Sequence, residues 1–156
     1  MKTISTAIVL SLFSFLAACG GGGEATVPEA QPVEATYTDI GNHVIHFSAQ
    51  STDQLPTDVA RAYNIIRSKN RAMLNVSIIE KGTHKPVSGD VTVKTVNLTG
   101  QLKNVLMRKI TEQEAIYYIG ETPVANRETL VFDISVTPEG EDSPSTVRFK
   151  RQFYSD

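Results

Sequence analysis

Cysteine is almost absent from this 156-residue chain: Cys19 stands alone. That rules out an internal disulfide, a cysteine-based metal cluster and a CxxC redox pair. Stability must come from an ordinary apolar core, and a folded part of about 120 residues supplies one by burying roughly two-thirds of its unfolded surface. An excess of positive charge is missing too. The formal net charge is -2, the sequence pI is about 5.9, and without Lys2 the 15 basic residues fall to 14 against 17 acidic ones, a net of -3. A nucleic-acid partner calls for a basic stripe and a high pI, so nucleic acid is not expected. No apolar run reaches the about 20 residues of a membrane-spanning helix. There is no GxSxG elbow, no Ser-x-x-Lys and no Cys–His pairing, so nucleophilic catalysis has no candidate.

What is present begins at the amino terminus. Lys2 precedes the apolar run AIVLSLFSFL, Ala7 to Leu16, and LAAC follows, Leu16 to Cys19. A short apolar core ending in small residues is a secretory signal, and LAAC resembles a bacterial lipobox, cut before Cys19. The resemblance implies a diacylglyceryl thioether on the Cys19 sulfur. Two or three acyl chains, at about 0.8 kcal/mol per buried methylene, anchor a protein firmly. Gly20 stands where an Asp commonly retains lipoproteins in the inner membrane, which points to the periplasmic face of the outer membrane. The alternative is ordinary cleavage after Ala18, leaving a free thiol. Residues 19–36, with four glycines, Pro28 and Pro32, read as a flexible tether with a root-mean-square span of roughly 20–25 Å. The glycine run lacks the Lys-Ser/Thr of a phosphate loop. The expected organisation is a signal peptide over 1–18, a lipidated tether over 19–36 and one domain over 37–156.

From Tyr37 onward the dominant period is two, broken by turn signals, which predicts an antiparallel sandwich. TLVFDISV puts Leu130, Phe132, Ile134 and Val136 on one face, and TVRFKRQF puts Val147, Phe149 and Phe153 on one face; polar TPEGEDSP joins them as a hairpin. NHVIHFSA and AMLNVSII read as half-buried strands. VTVKTVNL changes phase between Val93 and Val96, which a bulge near Thr95 would reconcile. LKNVLMRKI and AIYYI, hinged on TEQE, bring the count to about seven. LPTDVARAYNI alone has helical spacing, opening at Pro56 and closing at a left-handed Asn64. The fold class is therefore all-β: an immunoglobulin-like antiparallel β-sandwich of about seven strands, with one short helix across an end.

Several of these stretches together, above all AYNIIRSKNRA and NLTGQL, resemble a family of exported small β-domains of unknown function in Gram-negative bacteria. The likeness runs from Tyr37 to Tyr154, and this chain has Asn64 where the family pattern has Gly. The resemblance implies an exported β-domain and supplies no catalytic residue.

Arg67, Lys69 and Arg71 are the candidate binding residues. In an extended segment their i, i+2, i+4 spacing puts them on one face, able to hold an anion or a partner protein; the same pattern also serves as a solvated strand edge. His43 and His46 fall on opposite faces of a strand, so no shared metal site and no cofactor is expected. Tyr117 and Tyr118 likewise divide between surface and core. The reading is a non-enzymatic envelope lipoprotein, attached to the membrane through its lipid, that binds a partner protein or another envelope component through Arg67 to Arg71 and the LTGQ turn. The alternatives are a small-molecule carrier with a cavity between its sheets, and an enzyme with an unrecognised site.

Overall fold

The computed structural model describes residues 36–156; Cys19, the signal peptide and the tether lie outside the described residues. Nine strands form two antiparallel sheets. They are β1 Tyr37–Ile40, β2 His43–Ser51, β3 Arg71–Glu80, β4 Gly89–Asn97, β5 Leu102–Lys103, β6 Arg108–Glu112, β7 Ala115–Pro123, β8 Thr129–Pro138 and β9 Ser145–Gln152. One sheet has the order β1-β2-β3-β7-β6, the other β5-β4-β8-β9. The chain crosses between the sheets at β3–β4, β5–β6 and β7–β8.

Alternation along the strands builds the core. Ile45 and Phe47 on β2, Leu74, Val76 and Ile78 on β3, and Leu130, Phe132, Ile134 and Val136 on β8 turn inward and are buried. Phe149 joins the layers at the open side, its ring centroid 4.9 Å from those of both Phe47 and Phe132. Each such side chain contributes on the order of 1.5–3 kcal/mol by leaving water. Buried Tyr118 pins the far end, its hydroxyl donating to the Gly89 carbonyl and accepting from the Gly89 N–H, each at 2.8 Å. Burial raises the phenol above its ordinary range, and the Gly89 bond opposes that shift.

Both hairpins lie where the turn signals put them: β6 and β7 meet across Gln113 and Glu114, with Glu112 facing Ala115, and β8 pairs with β9 across residues 139–144. Strand number is corrected from about seven to nine for two reasons. β1 is a four-residue, largely polar edge strand, and LKNVLMRKI is split because β5 belongs to one sheet and β6 to the other. The bulge near Thr95 is absent: β4 pairs with β8 without interruption from Gly89–Pro138 to Asn97–Leu130. Thr95 is an inward, buried position filled by a polar residue, which is why the apolar phase changes without a change of register.

The helix, α1 Thr57–Ala62, follows Pro56, and Asn64 closes it at φ 55°. It lies elsewhere than expected. Ala60, Leu55 and Ile65 pack on Met73 and Ile119, which point outward because their neighbours Leu74 and Tyr118 point in. The helix therefore covers part of the outer face of the five-stranded sheet, where two apolar side chains need a lid, and not an end of the sandwich.

Candidate functional site

The segment from Thr52 to Asn70 is strapped onto that outer face by polar contacts. Thr52, fully buried in a single 3-10 turn, accepts through Oγ1 from the Ser68 N–H at 2.9 Å and reaches the Ile66 carbonyl at 2.8 Å. Arg67 donates to the Asp53 carbonyl at 2.6 Å and to Thr57 Oγ1 at 3.0 Å, closing the loop on itself. Arg108 on β6 reaches across to the Tyr63 carbonyl at 2.5 Å.

Between the strap and the sheet an open groove of about 290 Å³ remains. Its floor is Met73 and Asn75 of β3 with Ile119 of β7; Val59 and Tyr63 of α1 and its C-terminal end form one wall, Ile110 and Glu112 of β6 the other, and Tyr117 stands at the mouth. The lining is apolar apart from Asn75, Glu112 and the two phenols. The Glu112 carboxylate accepts from the Tyr63 hydroxyl, and that bond, with burial second, raises the Tyr63 phenol above its ordinary range. The β6–β7 turn places Glu114 beside Glu112, and Arg108, at the Tyr63 carbonyl, brings a cation to the same side of the groove. Among the described residues no group of three or more His, Cys, Asp or Glu side chains could hold a metal ion.

The three cations singled out in the sequence do not share an open face. Arg67 and Lys69 lie in the irregular segment before β3, and Arg71 alone belongs to a strand. Arg67 holds the strap, Lys69 donates to the Asp156 backbone oxygen at 2.6 Å, and Arg71 stands 3.7 Å from Glu121. His43 is buried, 3.8 Å from Glu141, whereas His46 and His84 are exposed. Tyr118 is in the core and Tyr117 at the surface, as alternation requires.

NLTGQL forms a locked turn. Asn97 Oδ1 accepts from the Gln101 N–H at 2.9 Å, the Thr99 N–H at 3.2 Å and the Thr99 hydroxyl at 2.7 Å, and Gly100 takes φ 82°, which suits glycine. Asn97 Nδ2 donates to Glu128 at 2.9 Å. Glu128 also meets Lys103 Nζ at 2.8 Å and accepts from the Ala125 N–H at 2.8 Å. Burial would raise the Glu128 carboxyl, but hydrogen bonds from Lys103, Ala125 and Asn97 together hold it below its ordinary range.

Two packed antiparallel sheets with a strapped groove on one outer face define a small β-sandwich domain. This chain belongs to the DUF4426 family, a domain of unknown function, whose match covers residues 37–156. It is similar to a crystal structure of a DUF4426 family protein from Pseudomonas aeruginosa PAO1, with 33% identity and a TM-score of 0.68 over 79% of this chain and 96% of the other. FetP from the uropathogenic E. coli strain F11 also matches, at 9% identity and a TM-score of 0.48 over 77% of this chain and 92% of the other. No curated protein matches this sequence.

Proposed function

We propose that this chain is an envelope lipoprotein with a non-enzymatic binding role. Its lipid on Cys19 holds the domain at the periplasmic face of the outer membrane, and the groove beneath α1 receives a partner protein. The observation that carries the binding role is an apolar groove left open on a face that the strap otherwise covers. At about 290 Å³ the groove stands at the lower end of the about 300–1,000 Å³ of small-molecule pockets and has room for one or two side chains. The apolar lining of Val59, Ile65, Met73, Ile110 and Ile119 favours a segment that presents a bulky apolar residue. A carrier role fits less well, because Phe132, Leu74, Ile78 and Ile134 fill the space between the sheets.

The test is a photocrosslinking residue placed in the envelope-located protein at Tyr117 or Val59, with Thr92, on the outer face of the other sheet, as control. The reading expects both groove positions to capture the same envelope protein and Val59→Asp to abolish the product. Equal products from groove and control positions would refute it.

A further inference from the structure

One edge of β2 is paired along only part of its length. On the β3 side the register is unbroken from His43–Glu80 to Ser51–Ala72. On the other side β1 covers β2 from His43 to His46, and the next contact is the Thr36 carbonyl accepting from the Phe47 N–H at 2.8 Å. Among the described residues no strand pairs with that side from Ser48 to Ser51. Antiparallel alternation fixes which groups lie along it: Phe47 turns its N–H and carbonyl toward β1, so Ala49 and Ser51 turn theirs the same way. Both residues are buried, Ala49 at 8% exposed and Ser51 at 6%, and buried backbone groups need partners. A groove continues from Thr36 along this edge. Ala49, Gln50 and Gln54 form one wall, Phe149 and Arg151 the other, and it opens toward Tyr154.

We propose that residues 32–35, Pro-Val-Glu-Ala, continue β1 backwards along this edge and occupy the groove. Where the chain ends in the described domain sets the occupant: Thr36 is already in register opposite Phe47, and the four residues before it match the four open positions of β2. The same register puts Ala35 opposite Ser48, Glu34 opposite Ala49, Val33 opposite Gln50 and Pro32 opposite Ser51. Glu34 then exchanges both backbone bonds with Ala49, and the Pro32 carbonyl accepts from the Ser51 N–H. Having no N–H to return, Pro32 ends the pairing where β2 itself ends. Alternation puts Glu34 on the inner side of the sheet with Ala49, and Val33 on the outer side with Gln50. The chain therefore leaves the domain at Pro32, beside Ser51 and the start of the strap, instead of at Thr36. An edge covered in this way is also closed to strands of other molecules. Neither the lipid on Cys19 nor the groove beneath α1 enters into this pairing.

Paired cysteines test the register. Val33 and Gln50 would form a non-hydrogen-bonded pair, whose Cα atoms lie about 4.5 Å apart, within disulfide range. His46, exposed on the same face of β2, stands four strand positions from Gln50, about 13 Å away, and is out of range. An unpaired segment leaving Thr36 could reach either position. Full-length protein carrying Val33→Cys with Gln50→Cys, or Val33→Cys with His46→Cys, is equilibrated in a glutathione redox buffer and cleaved at Asp39, which separates the paired positions. The masses of the linked peptides distinguish these bonds from any made by Cys19. Pairing predicts the 33–50 disulfide in most molecules and the 33–46 disulfide in almost none. Adding Glu34→Pro, which removes the N–H that bonds the Ala49 carbonyl, should reduce the 33–50 bond to the level of the 33–46 control. Equal yields from the two pairs, no bond in either, or a 33–50 bond unaffected by Glu34→Pro would each overturn the proposal. A 33–50 bond that joins two chains would overturn it in favour of a second copy at this edge.

Discussion

Replacing Glu128 by Gln removes one charge from the network that locks the NLTGQL turn. The Glu128 and Lys103 side chains are only 11% and 16% exposed, so the variant strands an ammonium whose other partner is the Pro123 carbonyl at 3.4 Å. Breaking a buried pair costs about 3–5 kcal/mol and an exposed one about 0–1. The residual water access here places the cost at about 2–3 kcal/mol. Adding Lys103→Met removes the stranded charge, and the double variant should be more stable than Glu128→Gln alone. Urea unfolding followed by far-ultraviolet circular dichroism reads both as midpoint shifts at unchanged slope. The pH dependence has a definite sign. Because the folded Glu128 carboxyl lies below its unfolded value, its contribution is fully present above the ordinary carboxylate range and is lost as pH falls through the lowered folded value. The difference between parent and variant should thus persist through mild acid and close only below it. A single-variant cost under about 0.5 kcal/mol, or additive effects of the two substitutions, would mean that Glu128 and Lys103 are not coupled as a buried pair.

Other consequences follow from the same contacts. Thr52→Val strands the Ser68 N–H at the base of the strap, and a urea series should show a loss of about 1–3 kcal/mol; an unchanged midpoint would mean that the strap is held elsewhere. At Gly120 an added Cβ meets Val105 Cγ1 at 2.6 Å, Met107 Sδ at 2.7 Å and the Leu106 carbonyl at 3.1 Å. Gly120→Ala should therefore lower stability by about 1–3 kcal/mol in the same assay, and a neutral result would show that the β5–β6 crossing yields easily.

The sheets were legible in the sequence because their strands alternate cleanly. Leu130, Phe132, Ile134 and Val136 repeat every second residue, and β8 is the strand they predict. Asn64 was legible as the end of a helix because few residues accept positive φ. The position of that helix was not read, although a signal existed: Met73 and Ile119 occupy positions whose parity assigns them to solvent. An apolar residue on a polar parity marks a second covered surface, and the groove lies over both. Thr95 misled in the opposite way, as a polar residue on an inward parity mimicked a phase slip. β1 and β5 escaped because a short edge strand needs backbone pairing more than apolar side chains. Arg67, Lys69 and Arg71 stood out by spacing, but their partners, Asp53, Thr57, Asp156 and Glu121, are distant in sequence or set by the strap. Only the fold could show that the three cations diverge.

Where this domain is held is read directly by the mass of its mature amino terminus. Protein isolated from the envelope should begin at Cys19, with the cysteine sulfur carrying a diacylglyceryl group, and Cys19→Ala should release the domain from membranes. A mature chain that begins at Cys19 with an unmodified thiol, or that begins elsewhere, would contradict the anchor and with it the membrane setting of the proposed binding groove.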